Sequence, residues 1–138
     1  APTARDNEQK SATWAQRALA RLGEDNHTRT LVDALIMATA HGSEELPAGI
    51  PEDDRPLLQV FVDIDLAILA APEERYQRYA EDIRREYAHL GDDAYRAGRT
   101  RVLRAFLARP RVFSSALYRP KEEAARTNLA AELRLLAP

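Results

Sequence analysis

A chain of 138 residues, 45% hydrophobic and 30% charged, has the size and composition of a globular domain, which excludes a disordered or fibrous protein. The absence of cysteine excludes disulfide bonds and thiolate metal sites. A net charge of −2 gives no support to a nucleic-acid partner or to binding at an anionic membrane surface.

The beginning of the sequence, "APTARDNEQK", lacks the apolar core of a secretion signal. No run in the sequence reaches the roughly 18 consecutive apolar residues of a membrane span. The sequence therefore predicts a cytoplasmic protein with no membrane partner.

Two amphipathic helices are predicted before the first loop. "DNEQKSATWAQRALARLG" places small and apolar residues on one face, with Asp6 or Asn7 as its cap and Gly23 as its stop. "TRTLVDALIMATAHG" continues the helical spacing from a cap at Thr28 to a stop at Gly42. The prolines and the glycine of "SEELPAGIPEDD" then predict a loop.

The most apolar segment, "LLQVFVDIDLAILAAP", follows this loop and carries two carboxylates, Asp63 and Asp65. Its spacing predicts a helix from near Pro56 to Ala71. Because the apolar run is nearly unbroken, we expect this helix at the centre of the fold. We expect four of its apolar side chains to be largely buried: Phe61, Ile64, Ile68 and Leu69.

The rest of the chain keeps the helical spacing. Pro72 opens "PEERYQRYAEDIRREYAHLG", and "DDAYRAGRTRVLRAFLARP" follows it. "RVFSSALY" predicts a short helix or turn, and "KEEAARTNLAAELRLLA" predicts a last helix. With no alternating strand pattern and no linker, the sequence predicts an all-α fold of six or seven helices in a single domain, 1–138.

Asp65 is the residue of the apolar segment that solvent exposure explains least well. The three-and-four spacing of a helix places it on one face with Leu58, Phe61 and Ile68, whereas Asp63 lies about 200° away. Burying an unpaired carboxylate is costly, so a buried Asp65 needs a compensating group. Two explanations stay open: an ion pair or helix-end hydrogen bond within the fold, and a functional site.

His41 and a group of arginines are the other candidate site residues. A histidine in the last turn of a helix is favoured by the macrodipole, so His41 fits a capping role, but imidazole is also a common metal ligand. The arginines of the two helices after Pro72 fit a solvated face with neighbouring acidic residues, and the guanidinium group also suits phosphate binding. No P-loop, GxGxxG or GxSxG motif accompanies them.

Six segments occur in an order that resembles one family: "DNEQKSA", "LIMATAH", "VDIDLAIL", "RYQRYAEDIRREY", "AYRAGRTRVLRAFLAR" and "AARTNLAAEL". They resemble the uncharacterised bacterial family of predicted metal-dependent phosphohydrolases of the HD superfamily. The resemblance extends from about Asp6 to Leu136, and "DIDLAIL" and "IRREY" are its most specific parts.

The resemblance implies an all-α fold and a divalent metal ion bound by a histidine on one helix, a His-Asp dyad on another and an aspartate on a later helix. "VDIDLAIL" resembles the segment with that aspartate, which we place at Asp65, with Asp63 as the alternative. His41 is expected nearby as an extra ligand, and Arg84 and Arg99 are expected to face the same cleft and bind phosphate. A metal-bound water would then attack a small phosphorylated substrate, either a phosphate ester or a nucleotide.

The chain departs from this family at the His-Asp dyad. His27, His41 and His89 are followed by threonine, glycine and leucine, so no histidine precedes an aspartate. In the family the dyad precedes a stretch like "PTARDNEQKSA", so the resemblance implies an N-terminally truncated HD-like fold. Such a fragment is expected to be inactive and to bind metal weakly or not at all. It is expected to cover exposed apolar surface by homo-oligomerisation or by binding the missing N-terminal segment.

Two functions therefore remain open. In the first, the parent protein is a metal-dependent phosphohydrolase and the chain carries part of its site. In the second, the chain is a non-catalytic helical interaction module in which Asp65 forms a structural ion pair.

Overall fold

The computed structural model describes residues 4–39 and 49–138 of the chain, with side chains from residue 6 onward. These residues form α-helices and short 3-10 helices without any strand, which confirms the predicted all-α class. Six α-helices are present in these ranges: α1 Ala4–Arg21, α2 Asn26–Ala38, α3 Arg55–Asp65, α4 Glu73–Glu86, α5 Asp92–Ala108 and α6 Glu122–Leu136.

The chain divides into two compact units, Ala1–Asp65 and Leu66–Pro138. The first unit contains α1 to α3 and a 3-10 helix at Glu52–Asp54. The second contains α4 to α6 and two 3-10 helices, Ala67–Ala70 and Arg119–Lys121. A single domain over the whole chain stays a prediction.

In the first unit, α1 packs on α2 and α2 packs on α3. Gly23 ends α1 as predicted, because its φ of 77° lies in the left-handed region that glycine adopts at low cost. This turn lets the amide of Glu24 donate to the carbonyl of Leu19 at 3.1 Å, which satisfies one of the last carbonyl groups of the helix.

The cap of α2 lies three residues before the predicted one. Asp25, not Thr28, is the N-cap, and its carboxylate accepts a hydrogen bond of 2.7 Å from the amide of Thr28. The sequence "EDNHT" offers several capping residues in a row, and the helix begins at the first one that reaches an amide one turn further on. The predicted end of this helix at Gly42 lies outside the described residues.

The core of the first unit is small. Ala34 of α2, Ile50 and Leu58 of α3 are buried together, and Leu31 and Leu35 pack against them from α2. The helix α3 therefore joins this core through Leu58 and not through Phe61 or Ile64. Ile68 and Leu69, the other two residues expected to be buried, lie on the 3-10 turn Ala67–Ala70 and contribute to the core of the second unit. Ile64 is 56% exposed, Phe61 and Ile68 are half-buried, and only Leu69 is buried.

The expected single helix from Pro56 to Ala71 is wrong, because α3 ends at Asp65 and a 3-10 turn, Ala67–Ala70, follows. Ala71 is extended, with ψ of 158°, which is the conformation that a residue before proline prefers. The side-chain amide of Asn128 donates to the carbonyls of Leu69 and Ala71 at 2.9 and 2.8 Å. These bonds replace the helical partners that the two carbonyls lack.

The second unit has the larger core. Helix α6 packs on α5, on α4 and on the 3-10 turn Ala67–Ala70. The buried side chains come from all of these elements and from the α5–α6 connection: Leu69, Tyr76, Leu103, Val112, Phe113, Ala125 and Leu129.

The α5–α6 connection, predicted as a short helix or turn, is irregular as far as Ser115 and then forms a turn at 116–118, which confirms the predicted turn at the end of this segment. The 3-10 helix Arg119–Lys121 follows. One turn of α6 supplies its hydrogen bonds. Glu122 accepts from the amides of Val112 and Phe113, at 2.8 and 3.1 Å through the same oxygen. Arg126 donates to the carbonyls of Leu107 and Arg109 at 3.0 and 2.7 Å.

Among the helices in the described ranges, none combines the length and the apolar character that crossing a membrane requires.

Candidate functional site

The structure reverses the expected burial of the two aspartates. Asp63 is 0% exposed, whereas Asp65, the last residue of α3, is exposed. The expectation for Asp65 assumed a helix that continues to Ile68, and the face shared by these two residues is lost when α3 ends at Asp65. Asp63 is therefore the buried carboxylate of α3, and it has an interaction partner within the chain.

The structure does not place His41 or Asp65 in a metal site. His41 lies outside the described residues, so its role as a metal ligand stays a prediction. Asp65 makes no ion pair with any residue in the described ranges. The structural ion pair that the second functional hypothesis assigned to Asp65 is therefore not found within residues 4–39 and 49–138.

Arg84, predicted to bind phosphate, holds the α4–α5 turn together. Its guanidinium donates to the carbonyl of Tyr87 at 3.0 Å, to the carbonyl of Leu90 at 3.3 Å and to the carboxylate of Asp92 at 2.7 Å. The guanidinium carbon also lies 4.6 Å from the centre of the Tyr95 ring. These contacts give Arg84 a structural role at the end of one helix and the start of the next.

Arg99, the second predicted phosphate ligand, forms a buried two-bond ion pair. Its Nε and Nη2 atoms donate to the carboxylate oxygens of Glu132 at 2.7 and 2.9 Å. Both side chains are more than nine-tenths buried. The hydroxyl of Tyr76 donates to the same carboxylate at 2.5 Å, and the Arg99 guanidinium lies 5.6 Å from the centre of the Tyr79 ring. The two parallel hydrogen bonds from Arg99 to Glu132 are the strong, bidentate form of a charge-assisted hydrogen bond.

Burial and charge act in opposite directions on this cluster. Burial alone would lower the pKa of Arg99, but the hydrogen bonds and the negative charge of Glu132 outweigh it and raise that pKa. The pKa of Tyr76 is raised well above its usual value, first by burial and then by the hydrogen bond that its neutral form donates to Glu132. Arg99 is therefore charged and Tyr76 neutral at physiological pH.

Glu132, Asn128 and Tyr76 are functionally placed polar residues that the sequence did not single out. The signal was present for two of them, because Asn128 and Glu132 follow Ala125 and Leu129 at helical spacing, on the apolar stripe of α6. The same criterion selected Asp65, so it could have been applied to the last helix. Tyr76 is buried in the core, and the partner of its hydroxyl follows only from the fold.

The described residues do not by themselves fit a divalent metal ion. Within residues 4–39 and 49–138, no three carboxylate or histidine residues come together as a ligand group. One feature of the first unit nevertheless suits a cation: Oε2 of Glu8 is buried without a hydrogen-bond partner among the described residues. Asp63 is fully buried as well, but it has an interaction partner within the chain. A complete ligand set would need further residues.

Each unit has a concave surface among its described residues. In the first, a cavity of about 260 Å³ lies beside His27 and Asp54, whose Nε2 and Oδ2 atoms are 3.6 Å apart. In the second, an open groove of about 700 Å³ follows α6 between Arg119 and Arg134. Neither contains Asp63, Asp65, Arg84 or Arg99.

No protein-family model, no curated protein and no solved structure matches this chain.

Proposed function

We propose that this chain is the helical part of a metal-dependent phosphohydrolase with an HD-like, N-terminally truncated fold, and that the parent protein hydrolyses a phosphate ester or a nucleotide. The observation that carries the proposal is the complete burial of Asp63 within "VDIDLAIL", one of the segments that most resemble the phosphohydrolase family.

A fully buried carboxylate needs a group that offsets its charge. Asp63 already has an interaction partner within the chain, and a divalent cation in the parent protein would be a further group that offsets its charge. Oxygen ligands are the kind that hard divalent cations prefer. Burial thus favours Asp63 over Asp65 as the ligand supplied by α3. The remaining ligands are proposed to come from His41 and from a His-Asp dyad that precedes the chain in the parent protein.

A phosphate group that binds Arg84 or Arg99 would have to compete with the carboxylate that already pairs with each arginine. A phosphate on Arg84 would compete with Asp92, and a phosphate on Arg99 would compete with Glu132. Asp92 is exposed and Glu132 is buried, so Arg84 is the easier of the two for a substrate to reach. We therefore propose Arg84 as the first of the two to test.

The decisive experiment uses the protein expressed from its complete reading frame. Metal content is measured by elemental analysis, and hydrolysis is assayed on a panel of phosphomonoesters and nucleotides. The Asp63→Asn variant is expected to lose bound metal and activity together, because the amide cannot carry the negative charge. The Asp65→Asn variant is the matched control, two residues away and exposed, and should keep both.

A variant Asp63→Asn that retains its metal and its activity would remove Asp63 from the site. The chain of 138 residues alone is expected to bind metal weakly, and stoichiometric metal in it would show that no upstream residues are needed. The Arg84→Ala variant of the complete protein should raise KM, because phosphate binding is lost, with unfolding measured in parallel to detect damage to the α4–α5 turn.

The second candidate function is a non-catalytic helical interaction module. This function is favoured by the ion pairs of Arg84 and Arg99. Both arginines were predicted to bind phosphate, and both are instead paired with carboxylates of the chain itself. The two functions differ in one readout. If the complete protein binds no divalent ion and Asp63→Asn changes only its stability, the module is the better account.

A further inference from the structure

Helix α1 presents an unusual outward face. Lys10, Trp14, Arg17 and Arg21 follow one another at spacings of four, three and four residues, which places them within about 60° of one another around the helix. All four are exposed, and Trp14 is 73% exposed. We call these four residues the cationic Trp14 stripe.

The stripe lies opposite the side of α1 that packs on α2. Ala12 is 0% exposed on that packed side, and the side chain of Gln16 donates to the carbonyl of Arg29 on α2. Charged residues on an outward face are ordinary, but an indole ring placed there loses the contacts that usually hold a tryptophan in the interior. The exposure of Trp14 therefore distinguishes this face from a solvated one.

The charge of the stripe is not neutralised within the described residues. None of its three basic side chains forms an ion pair with a described acidic residue. Asp6 lies at the N-terminal end of the same face, which leaves the face at +2. Taking these three of 20 basic and this one of 22 acidic residues away leaves the rest of the chain at −4.

We propose that the cationic Trp14 stripe binds an acidic helical segment of another protein. Tryptophan and arginine are the residues that most often dominate the binding energy of protein interfaces. The stripe is straight and about 16 Å long, which matches carboxylates that recur every three to four residues along a second helix. The opposite charges provide the complementarity that orients such a pair.

The charge distribution favours this partner over a nucleic acid or an anionic membrane. A long polyanion would extend beyond the stripe, and apart from this face the first unit contains 3 basic and 11 acidic residues, a net charge of −8 that would repel it. A short acidic helix covers only the stripe. Its apolar side chains would contact the indole ring, and its carboxylates would face Lys10, Arg17 and Arg21.

Trp14 is the only tryptophan of the chain, so its fluorescence reports directly on this face. The probe is a synthetic 16-residue amphipathic helix rich in glutamate and leucine, and its control has glutamine at every glutamate. The acidic peptide is expected to shift the Trp14 emission to shorter wavelength, to protect it from acrylamide and to bind more weakly as salt is added. The glutamine peptide should bind at least tenfold more weakly.

Two sets of variants test the residues. Lys10→Glu with Arg17→Glu and Arg21→Glu should weaken binding of the labelled peptide at least tenfold, measured by anisotropy, and Trp14→Ala should do the same. The matched control reverses three exposed arginines of α5, Arg96, Arg101 and Arg104, and should leave the affinity unchanged. Circular dichroism and the Tm of each variant establish that the fold is intact.

Several results would overturn the proposal. One is equal binding of the acidic and glutamine peptides, and another is an equal loss of affinity in the α5 control. Tighter binding of a single-stranded oligonucleotide or of phosphatidylserine vesicles would assign the stripe to a different partner. In the protein from the complete reading frame, a Trp14 already shielded from acrylamide without peptide would show that the stripe is not available to another protein.

Discussion

The guanidinium of Arg99 on α5 and the carboxylate of Glu132 on α6 form two parallel hydrogen bonds inside the second unit, at 2.7 and 2.9 Å. Both side chains are more than nine-tenths buried, so the ion pair is largely shielded from bulk water. The hydroxyl of Tyr76 on α4 donates to the same carboxylate, so one acidic side chain joins three helices. Such a cluster fixes which helix faces meet, because an offset of one helical turn would leave a buried charge without its partner.

Removal of one member of this pair should be far more damaging than removal of both. Arg99→Met leaves Glu132 buried with an uncompensated charge and is expected to lower the free energy of unfolding by about 3–5 kcal/mol. The double variant Arg99→Met with Glu132→Leu should recover most of that loss. Urea unfolding of the single and double variants measures the coupling, with Arg96→Met on the exposed side of α5 as the control. Additive losses would show that the two side chains do not depend on each other.

Asn128 should be required for the turn that follows α3. Asn128→Ala removes both hydrogen bonds to the carbonyls of Leu69 and Ala71 and is expected to lower the free energy of unfolding by about 1–3 kcal/mol. Asn128→Asp should cost more, because a carboxylate would face two carbonyl oxygens. The neighbouring Thr127→Ala, at an exposed position, should change stability little. Equal stabilities of the alanine variants would contradict the role of Asn128.

Tyr76 should make the stability sensitive to alkaline pH. Its pKa is raised from the ordinary value of 10.0, because its phenol is buried and donates to Glu132. The stabilisation by the neutral phenol is complete below pH 10 and is lost as the pH rises toward the raised folded-state pKa. The difference in unfolding free energy between the native chain and Tyr76→Phe should therefore shrink above pH 10. Absorbance at 295 nm should show Tyr76 ionising only when the protein unfolds, and a constant difference across this range would be inconsistent with the cluster.

Asp25 should make the stability of α2 sensitive to acid. The hydrogen bond from the backbone amide of Thr28 lowers the pKa of this carboxyl below its ordinary 3.8. A lowered pKa means that the stabilisation is present above pH 3.8 and is lost as the pH falls through the folded-state value. Asp25→Ala should lower the Tm at pH 7, whereas Asp25→Asn, which also caps, should lower it less. Thermal unfolding between pH 7 and pH 3 should show the advantage of aspartate over asparagine disappearing at the acid end.

The helical class followed from the sequence because the 3.6-residue period persists through nearly every segment. The end of α3 did not, because nothing local to "VDIDLAIL" stops a helix; the carbonyls of the following turn are bound by Asn128, almost 60 residues away. Because α3 ends at Asp65, this residue lies at the exposed end of the helix, and Asp63 is the buried carboxylate. A helical period assigns faces correctly only as far as the helix extends.

The roles of the arginines could not be predicted from composition. The chain has many arginines near many acidic residues, so the sequence offers several partners for each. The choice of Glu132 for Arg99 depends on how α5 and α6 meet, and the choice of Asp92 for Arg84 depends on the shape of one turn. Arg84 and Arg99, which were predicted to bind phosphate, therefore form ion pairs that stabilise the fold.

The hydrogen bonds from Glu122 and Arg126 of α6 to the backbone of the α5–α6 connection should protect this connection from proteolysis. Glu122 binds the amides of Val112 and Phe113, so their protons should exchange with deuterium as slowly as those of a buried helix. Arg111 is exposed and lies before Val112, which makes the bond between them a natural target for trypsin by sequence. A protease binds its substrate in an extended conformation, and the hydrogen bonds to Glu122 and Arg126 prevent the connection from adopting it. The irregular connection should therefore outlast many exposed arginine sites in the helices, and it should be cleaved only once the second unit unfolds.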